Sequence, residues 1–197
     1  MTTKRLVLIA VFTALIIVGG LVSVPIPFTQ IQLSFQVVFV ITAGMVLGGR
    51  DGALAVLVYI AMGLLGLPVF TQGGGPQYVF MPSFGYLIGF PIGALVCGAL
   101  CGRLKKPTRG KVFLCAALGC IPIYIIGATY QALILYYYYG NAYAVAVGGL
   151  PAVAVLLIKD AVLCGFAAIL YPALNRALKF RKKSREQKLD AVERKHV

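Results

Sequence analysis

Two adjacent charged residues, Lys159 and Asp160, are the side chains of this sequence best placed for polar chemistry in an apolar environment. They lie inside a long apolar segment, about eight residues past Pro151, whereas the other charged residues flank or separate apolar segments or crowd into the C-terminal stretch. An ionisable residue within a membrane span costs roughly 3 kcal/mol and marks a candidate binding or transport site. The alternative is that Lys159 extends outward and places its amine at the membrane surface.

A helix through Lys159 offers this residue no acidic partner one turn away. The residues at those positions are all apolar: Val155, Leu156, Leu163 and Cys164. Asp160 is one residue further on, about 100° around a helix, so the two charged groups are not expected to face each other. We therefore expect Lys159 to find its acceptor on another helix, in water or on an anionic ligand.

The composition indicates a polytopic membrane protein. Apolar residues make up 60% of the 197 residues and charged residues 12%, whereas a soluble globular domain usually has about 25% charged residues. A helix of roughly 20 apolar residues crosses a bilayer. On that basis six spans are predicted, and proline, glycine or basic residues separate them: 5–24, 34–49, 52–67, 83–103, 112–139 and 151–177.

The distribution of basic residues predicts the orientation of these spans. Lys4, Arg5, Arg50, the segment 103–111 and the C-terminal stretch supply every basic residue except Lys159. The three remaining connections carry no charge: 25–33, 68–82 and 140–150. Because basic residues accumulate on the cytoplasmic side, both termini are predicted to be cytoplasmic.

The predicted domain organisation follows from this topology. Residues 1–177 are expected to form a single six-helix membrane domain, and residues 178–197 a basic, disordered cytoplasmic tail. Basic residues beside a membrane are attracted to anionic lipid, so membrane lipid explains this charge and no nucleic-acid partner is expected.

The sequence lacks the residues that several catalytic and metal-binding chemistries require. The only histidine, His196, is the penultimate residue, and the five cysteines have neither zinc-site nor CxxC spacing, so they are expected to be packing residues. Lys111 follows a glycine but lacks the rest of a P-loop, so the chain is not expected to hydrolyse ATP. Asp160 is the only acid within a span, which disfavours paired-carboxylate catalysis and ion coupling. The sequence predicts a protein that is not an enzyme, needs no cofactor or metal, and depends on a partner for energy.

The uncharged, outer side of the predicted bundle carries the other parts of a small-molecule site. Amide and aromatic side chains there are candidates for ligand contacts: Gln36, Gln77, Phe70, Tyr86 and Tyr130. For the tyrosines, and for the run 136–139 above all, the alternative is an aromatic belt at the membrane surface.

The order of short motifs along the chain resembles the BioY family, the substrate-binding S component of energy-coupling factor (ECF) biotin transporters. The motifs are Ile-Pro and LSFQ leading into the second span, AG and LG within it, GLLGLPVF followed by glycines, and PSFGYLIGF, at 26–27, 33–36, 43–48, 63–75 and 82–90. They add Gly74 and Ser83 to the candidate substrate-binding residues.

The resemblance implies a six-helix ECF S-component-like bundle in the bacterial cell membrane. Such a protein captures biotin from outside, joins a transmembrane coupling subunit (the T component) driven by two ABC-type ATPases, and topples within the bilayer; some members function without a dedicated module. The family pattern has an aspartate three residues before a lysine. Lys159 matches the lysine, whereas Leu156 occupies the aspartate position. Lys159 is expected to meet an oxygen of biotin, in its carboxylate or its ureido group, and Asp160 to supply the acid from a different helical face.

Two small residues on the first span, Ala10 and Ala14, resemble the motif by which S components dock on the coupling subunit. The alternative is that they pack against a helix of the same chain. Gly44 and Gly48 on the second span leave the same two interpretations open. For the function, the alternatives are an S component or ion-coupled carrier for another small anionic solute and, more remotely, a membrane-embedded enzyme.

Overall fold

The computed structural model describes residues 3–25, 32–104, 108–138, 154–169 and 171. The predicted tail over 178–197 and the 140–150 connection lie outside these residues. Six helices account for most of the described chain: α1 Thr3–Leu21, α2 Gln36–Leu47, α3 Gly49–Leu64, α4 Phe84–Gly102, α5 Arg109–Leu133 and α6 over 154–169. Each helix overlaps one predicted span.

The apolar helices differ in length. Within the described residues, three segments are long and apolar enough to cross a membrane: Thr3–Leu21, Phe84–Gly102 and Arg109–Tyr138. The last comprises α5 and a π-helical turn, Ile134–Tyr138. Helix α2 is apolar but has only 12 residues. The length and hydropathy of these helices are those of a membrane protein. That the chain has six spans stays a prediction.

Two of the predicted outer connections contain structure that the sequence did not predict. Two three-residue strands, β1 Ser23–Pro25 and β2 Gln32–Ser34, pair antiparallel, with Ser23 opposite Ser34. Strands of three residues are too short for an alternating pattern to show. The glycine-rich segment after α3 leads into a 3₁₀ helix, Pro76–Phe80, and it includes Gly73 and Gly75 with φ of 111° and 107°. Such angles favour glycine.

Helix α4 packs against α2, α3 and α5, and glycines permit the close contact. A Cβ on Gly44 of α2 would overlap the main-chain carbonyl of Ala94, and one on Gly98 would overlap the main chain of Gly49. Small residues at crossings let helices approach closely in lipid. Gly44 therefore serves packing within the chain, whereas Gly48 has φ of 89° and a Cβ on it would meet no atom within 4 Å among the described residues.

Helix α1 is joined to α3 by polar contacts at two levels. The Thr13 hydroxyl lies 3.0 Å from the carbonyl oxygens of both Ala55 in α3 and Ile9 in its own helix, so its one proton is shared between them. Arg5 forms a two-pronged ion pair with Asp51, with Nε 2.6 Å from Oδ2. These contacts join α1 to α3, whereas buried residues of α2, α4 and α5 form walls of a cavity.

Candidate ligand-binding cavity

A cavity that is partly open to solvent lies among α2, α4, α5, α6 and the predicted outer connections. Its apolar lining residues are Val37, Leu87, Phe90, Ile123 and Leu156. Its polar lining residues are Gln32, Ser34, Gln36, Thr71, Ser83, Tyr86, Tyr124, Lys159 and Asp160. A lining that combines apolar side chains with amide, hydroxyl and charged groups suits a small amphipathic ligand.

Lys159 contributes its amine to this cavity and is held there by two contacts. Its Nζ donates to the main-chain carbonyl oxygen of Ser34 at 2.5 Å and lies 2.9 Å from Oδ1 of Asp160. The side chain is 18% exposed, so Lys159 turns inward instead of extending outward. Its hydrogen-bond acceptor lies on β2, next to the start of α2.

The expectation that Asp160 does not face Lys159 was wrong. The two side chains do leave the helix in different directions, but the four-carbon stem of a lysine is flexible and brings Nζ back to the neighbouring carboxylate. Helical spacing predicts the direction in which a side chain leaves the helix. It does not fix the position of the terminal atom of a long, flexible side chain.

Asp160 is buried, with 2% of its surface exposed. The Tyr124 hydroxyl donates a hydrogen bond to Oδ2. The other oxygen, Oδ1, lies 2.9 Å from the ammonium nitrogen of Lys159. A carboxylate oxygen has two lone pairs, so Oδ1 can accept one further hydrogen bond at the cavity wall.

Three other candidate residues also line the cavity: Gln36, Tyr86 and Ser83. Gln36 begins α2, and its amide nitrogen lies a long 3.5 Å from the Ile16 carbonyl oxygen. The Tyr86 hydroxyl donates to Oε1 of the buried Gln131 at 3.0 Å. These side chains come from α2 and from the start of α4.

Four candidate residues lie outside the lining: Phe70, Gly74, Gln77 and Tyr130. Phe70 is fully buried and contacts the ring of Tyr78. The exposed Gln77 donates to the Gly74 carbonyl oxygen at 2.7 Å, and a Cβ on Gly74 would overlap the chain of the same loop. Tyr130 donates from its hydroxyl to the Val79 carbonyl oxygen. These residues shape the loop next to the cavity, and ligand contacts by them stay predictions.

Sequence reasoning missed Tyr124 and Thr71 as lining residues. Tyr124 lies within the apolar fifth span and 36 residues from Asp160, so no local pattern connects the two. Thr71 follows Phe70 directly in the glycine-rich segment, and only the turn that carries it brings its hydroxyl to the cavity.

The cysteines and the small residues of α1 lie away from the cavity lining. All five thiols are free and buried, and Sγ of Cys120 lies 3.7 Å from Sγ of Cys164; the described residues contain no cluster of three metal ligands. Ala10 and Ala14 are exposed on α1. Packing of these two alanines against another described helix of the chain is therefore not their role.

Comparison with known proteins connects this architecture with transport. Residues 1–180 match the family model described as the BioY family. A "Probable biotin transporter BioY" of Lysinibacillus sphaericus is 48% identical over 129 residues, which are 66% of this chain and 65% of that relative. The "Biotin transporter BioY" of Thermotoga maritima is 38% identical over 160 residues, 79% of this chain and 89% of that relative.

A solved structure has the same fold. It is described as the S-component for biotin from an ECF-type ABC transporter, and it superposes with a TM-score of 0.77 at 25% identity, covering 89% of this chain and 95% of that one. These relatives are transporters, in agreement with the prediction that the chain is not an enzyme. The resemblance inferred from the motifs is thereby confirmed: the chain belongs to the BioY family.

Proposed function

We propose that this protein is the biotin-binding and translocating S component of an ECF transporter in the bacterial cell membrane. The observation that carries the proposal is the cavity with the Lys159–Asp160 pair in its wall, in a chain whose relatives are named biotin transporters. The cavity combines apolar side chains with amide, hydroxyl and charged groups, as the recognition of a small amphipathic vitamin requires. No cofactor is needed, since biotin is the cargo.

Biotin matches the charged pair through its ureido ring. This ring has two N–H donors and a strongly polarised carbonyl oxygen, and Oδ1 of Asp160 can accept one further hydrogen bond from an N–H. The ammonium of Lys159 has three protons, of which one goes to Ser34 and one points toward Asp160. The third is available for the ureido carbonyl oxygen.

The charge balance favours this orientation of the ligand. Lys159 and Asp160 together carry no net charge, so the pair attracts a neutral polar ring at least as well as a carboxylate. An additional carboxylate next to Asp160 would meet repulsion in a low dielectric. We infer that the ureido group meets the pair, while the carboxylate of biotin binds elsewhere in the cavity.

Energy would come from partner proteins. Ala10 and Ala14 form an exposed strip of small residues on α1, to which a helix of the T component can dock closely, and two ABC-type ATPases would drive that subunit. The basic residues near Lys4 and Arg50 would then face the cytoplasm and anionic lipid.

The decisive experiment is ligand-dependent thermal stabilisation of the purified protein in detergent. A ligand that binds only the folded state raises its stability by mass action. We expect stabilisation by biotin and none by riboflavin, thiamine or pantothenate. Stabilisation by one of these other vitamins, and not by biotin, would identify that vitamin as the cargo. Detection of a chemically altered product would indicate an enzyme.

The site is tested by direct binding of labelled biotin. Lys159→Ala and Asp160→Asn are each expected to weaken binding at least tenfold, because each removes a charged hydrogen-bonding group. Lys111→Ala is the matched control, since Lys111 is exposed at the start of α5, and it should bind like the wild type. Full affinity in folded Lys159→Ala would contradict the proposed site.

A further inference from the structure

Tyr78 lies behind the cavity wall, between two hydroxyl side chains that line it. Its hydroxyl oxygen is 2.9 Å from Oγ1 of Thr71 and, in a longer contact, 3.5 Å from Oγ of Ser83. Thr71 and Ser83 are lining residues, whereas Tyr78 is 2% exposed and lies outside the lining. Tyr78 therefore touches the cavity through other side chains.

Aromatic packing fixes the position of this hydroxyl. Tyr78 belongs to the 3₁₀ helix Pro76–Phe80, and its ring lies between Phe70 and Phe84, at centroid distances of 4.5 and 6.4 Å. Phe70 in turn packs edge-on against Tyr59 of α3, at 5.3 Å. A buried ring with these neighbours has little freedom to turn, so its hydroxyl is a fixed reference point.

The orientation of the Thr71 hydroxyl depends on the fixed hydroxyl of Tyr78. It lies in a tight turn closed by two main-chain hydrogen bonds between Phe70 and Gly73, of 2.8 and 3.2 Å, which fix its backbone but leave its hydroxyl proton free to rotate. Among the described residues, Tyr78 is the hydrogen-bond partner of the Thr71 side chain.

The acidity of the two hydroxyls decides which one donates. A phenol is a stronger acid than an aliphatic alcohol and hence the better donor, and each hydroxyl has one proton but two acceptor lone pairs. With Tyr78 as the donor to Thr71, the Thr71 proton is left for another acceptor. Because hydrogen bonds in a chain strengthen one another, Thr71 becomes a better donor toward the cavity.

We propose that Tyr78 is a positioning residue that turns the Thr71 hydroxyl into a donor for the carboxylate of the ligand. The proposal rests on the proposed function. It deepens that function by assigning the carboxylate, the strongest acceptor of biotin, to a neutral hydroxyl cluster (Thr71, Tyr78, Ser83) separate from the Lys159–Asp160 pair. Selectivity for a ligand with an acidic tail then depends on a residue outside the lining.

The test compares two ligands on two proteins. Tyr78→Phe removes one oxygen and keeps the ring packing, and binding is measured for biotin and for an analogue whose carboxylate is replaced by a primary alcohol. We expect Tyr78→Phe to weaken biotin binding about five- to tenfold, the size of one neutral hydrogen bond, because the Thr71 hydroxyl loses the bond that holds it as a donor. Binding of the analogue should weaken less than twofold. Tyr137→Phe, at an exposed tyrosine, is the control and should leave both affinities unchanged.

A second variant separates positioning from structure. Thr71→Val removes the hydroxyl on which Tyr78 acts, so Tyr78→Phe should add less than twofold in that background. Equal weakening of both ligands, full additivity with Thr71→Val, or unchanged biotin affinity would each overturn the proposal. Those results all presuppose that the wild type binds biotin, whereas wild type that binds neither ligand would refute the proposed function itself and with it this assignment.

Discussion

Replacing Lys159 by methionine should reveal how much stability is lost when the buried carboxylate of Asp160 has no positive partner. Methionine keeps the length and the unbranched stem of lysine but removes the charge. Asp160, 2% exposed, would then retain only the hydrogen bond from Tyr124. Breaking a buried ion pair by removing one partner usually costs 3–5 kcal/mol of stability.

Two considerations narrow the expected loss of stability in Lys159→Met. The carboxylate can escape its unpaired charge by binding a proton, which limits the loss of stability. The side chain of Lys159 is itself 18% exposed, so water already shares part of the pair's field. We expect Lys159→Met to lower the free energy of unfolding by about 3 kcal/mol, or the midpoint of thermal unfolding by roughly 6–12 °C.

The double variant Lys159→Met/Asp160→Asn provides the critical comparison. An asparagine carries no charge and can still accept the hydrogen bond from Tyr124, so most of the lost stability should return, to within about 1 kcal/mol of the wild type. Biotin binding should not return, because both polar contacts are gone. The assays are thermal unfolding in detergent without ligand, followed by binding of labelled biotin. A Lys159→Met protein as stable as the wild type, or a double variant no more stable than Lys159→Met, would refute the assignment of an unpaired buried charge.

Three further predictions concern the cavity wall, the helix packing and the docking face. Leu156→Phe adds volume to a lining residue and should weaken biotin binding more than tenfold while the protein still folds, as thermal unfolding and labelled-biotin binding will show. Gly98→Val forces a side chain into the main chain of a neighbouring helix and should cost about 1–3 kcal/mol, measured by thermal unfolding. Gly102→Ala, whose Cβ would meet no described atom within 4 Å, should cost less than about 0.5 kcal/mol, and equal effects would contradict the packing. Ala10→Leu/Ala14→Leu should leave biotin binding intact and abolish energised uptake in cells that contain the T component and ATPases; undiminished uptake would exclude this face as the docking site.

Much of the fold was predictable because membrane helices have a strong local signal. Each of the six predicted spans overlaps a helix, for example 83–103 with Phe84–Gly102 and 112–139 with Arg109–Tyr138. Length and hydropathy are sufficient there, since lipid requires every main-chain group to be satisfied within the segment. The hairpin of Ser23–Pro25 and Gln32–Ser34 was missed because its strands are too short to produce a period.

The candidate site was predictable in part. Lys159, Asp160, Gln36, Tyr86 and Ser83 meet at one cavity, and charge, amide chemistry and the motif resemblance had indicated them. Phe70 and Gln77 come from an equally distinctive segment but lie outside the lining, because the turn after α3 directs Thr71 toward the cavity instead. Main-chain direction in an irregular loop is not encoded in any sequence period.

Hydropathy and short motifs along the chain were enough to establish the membrane class, the helical segments, the family and the isolation of a lysine and an acid in an apolar span. The groups that those charges touch became known from the packing of the helices. Lys159 bonds to Ser34, 125 residues away, and Asp160 to Tyr124, 36 residues away. The physical reason is that hydropathy and helical periodicity govern contacts within a segment, whereas the partners of a buried charge are set by how separate helices pack.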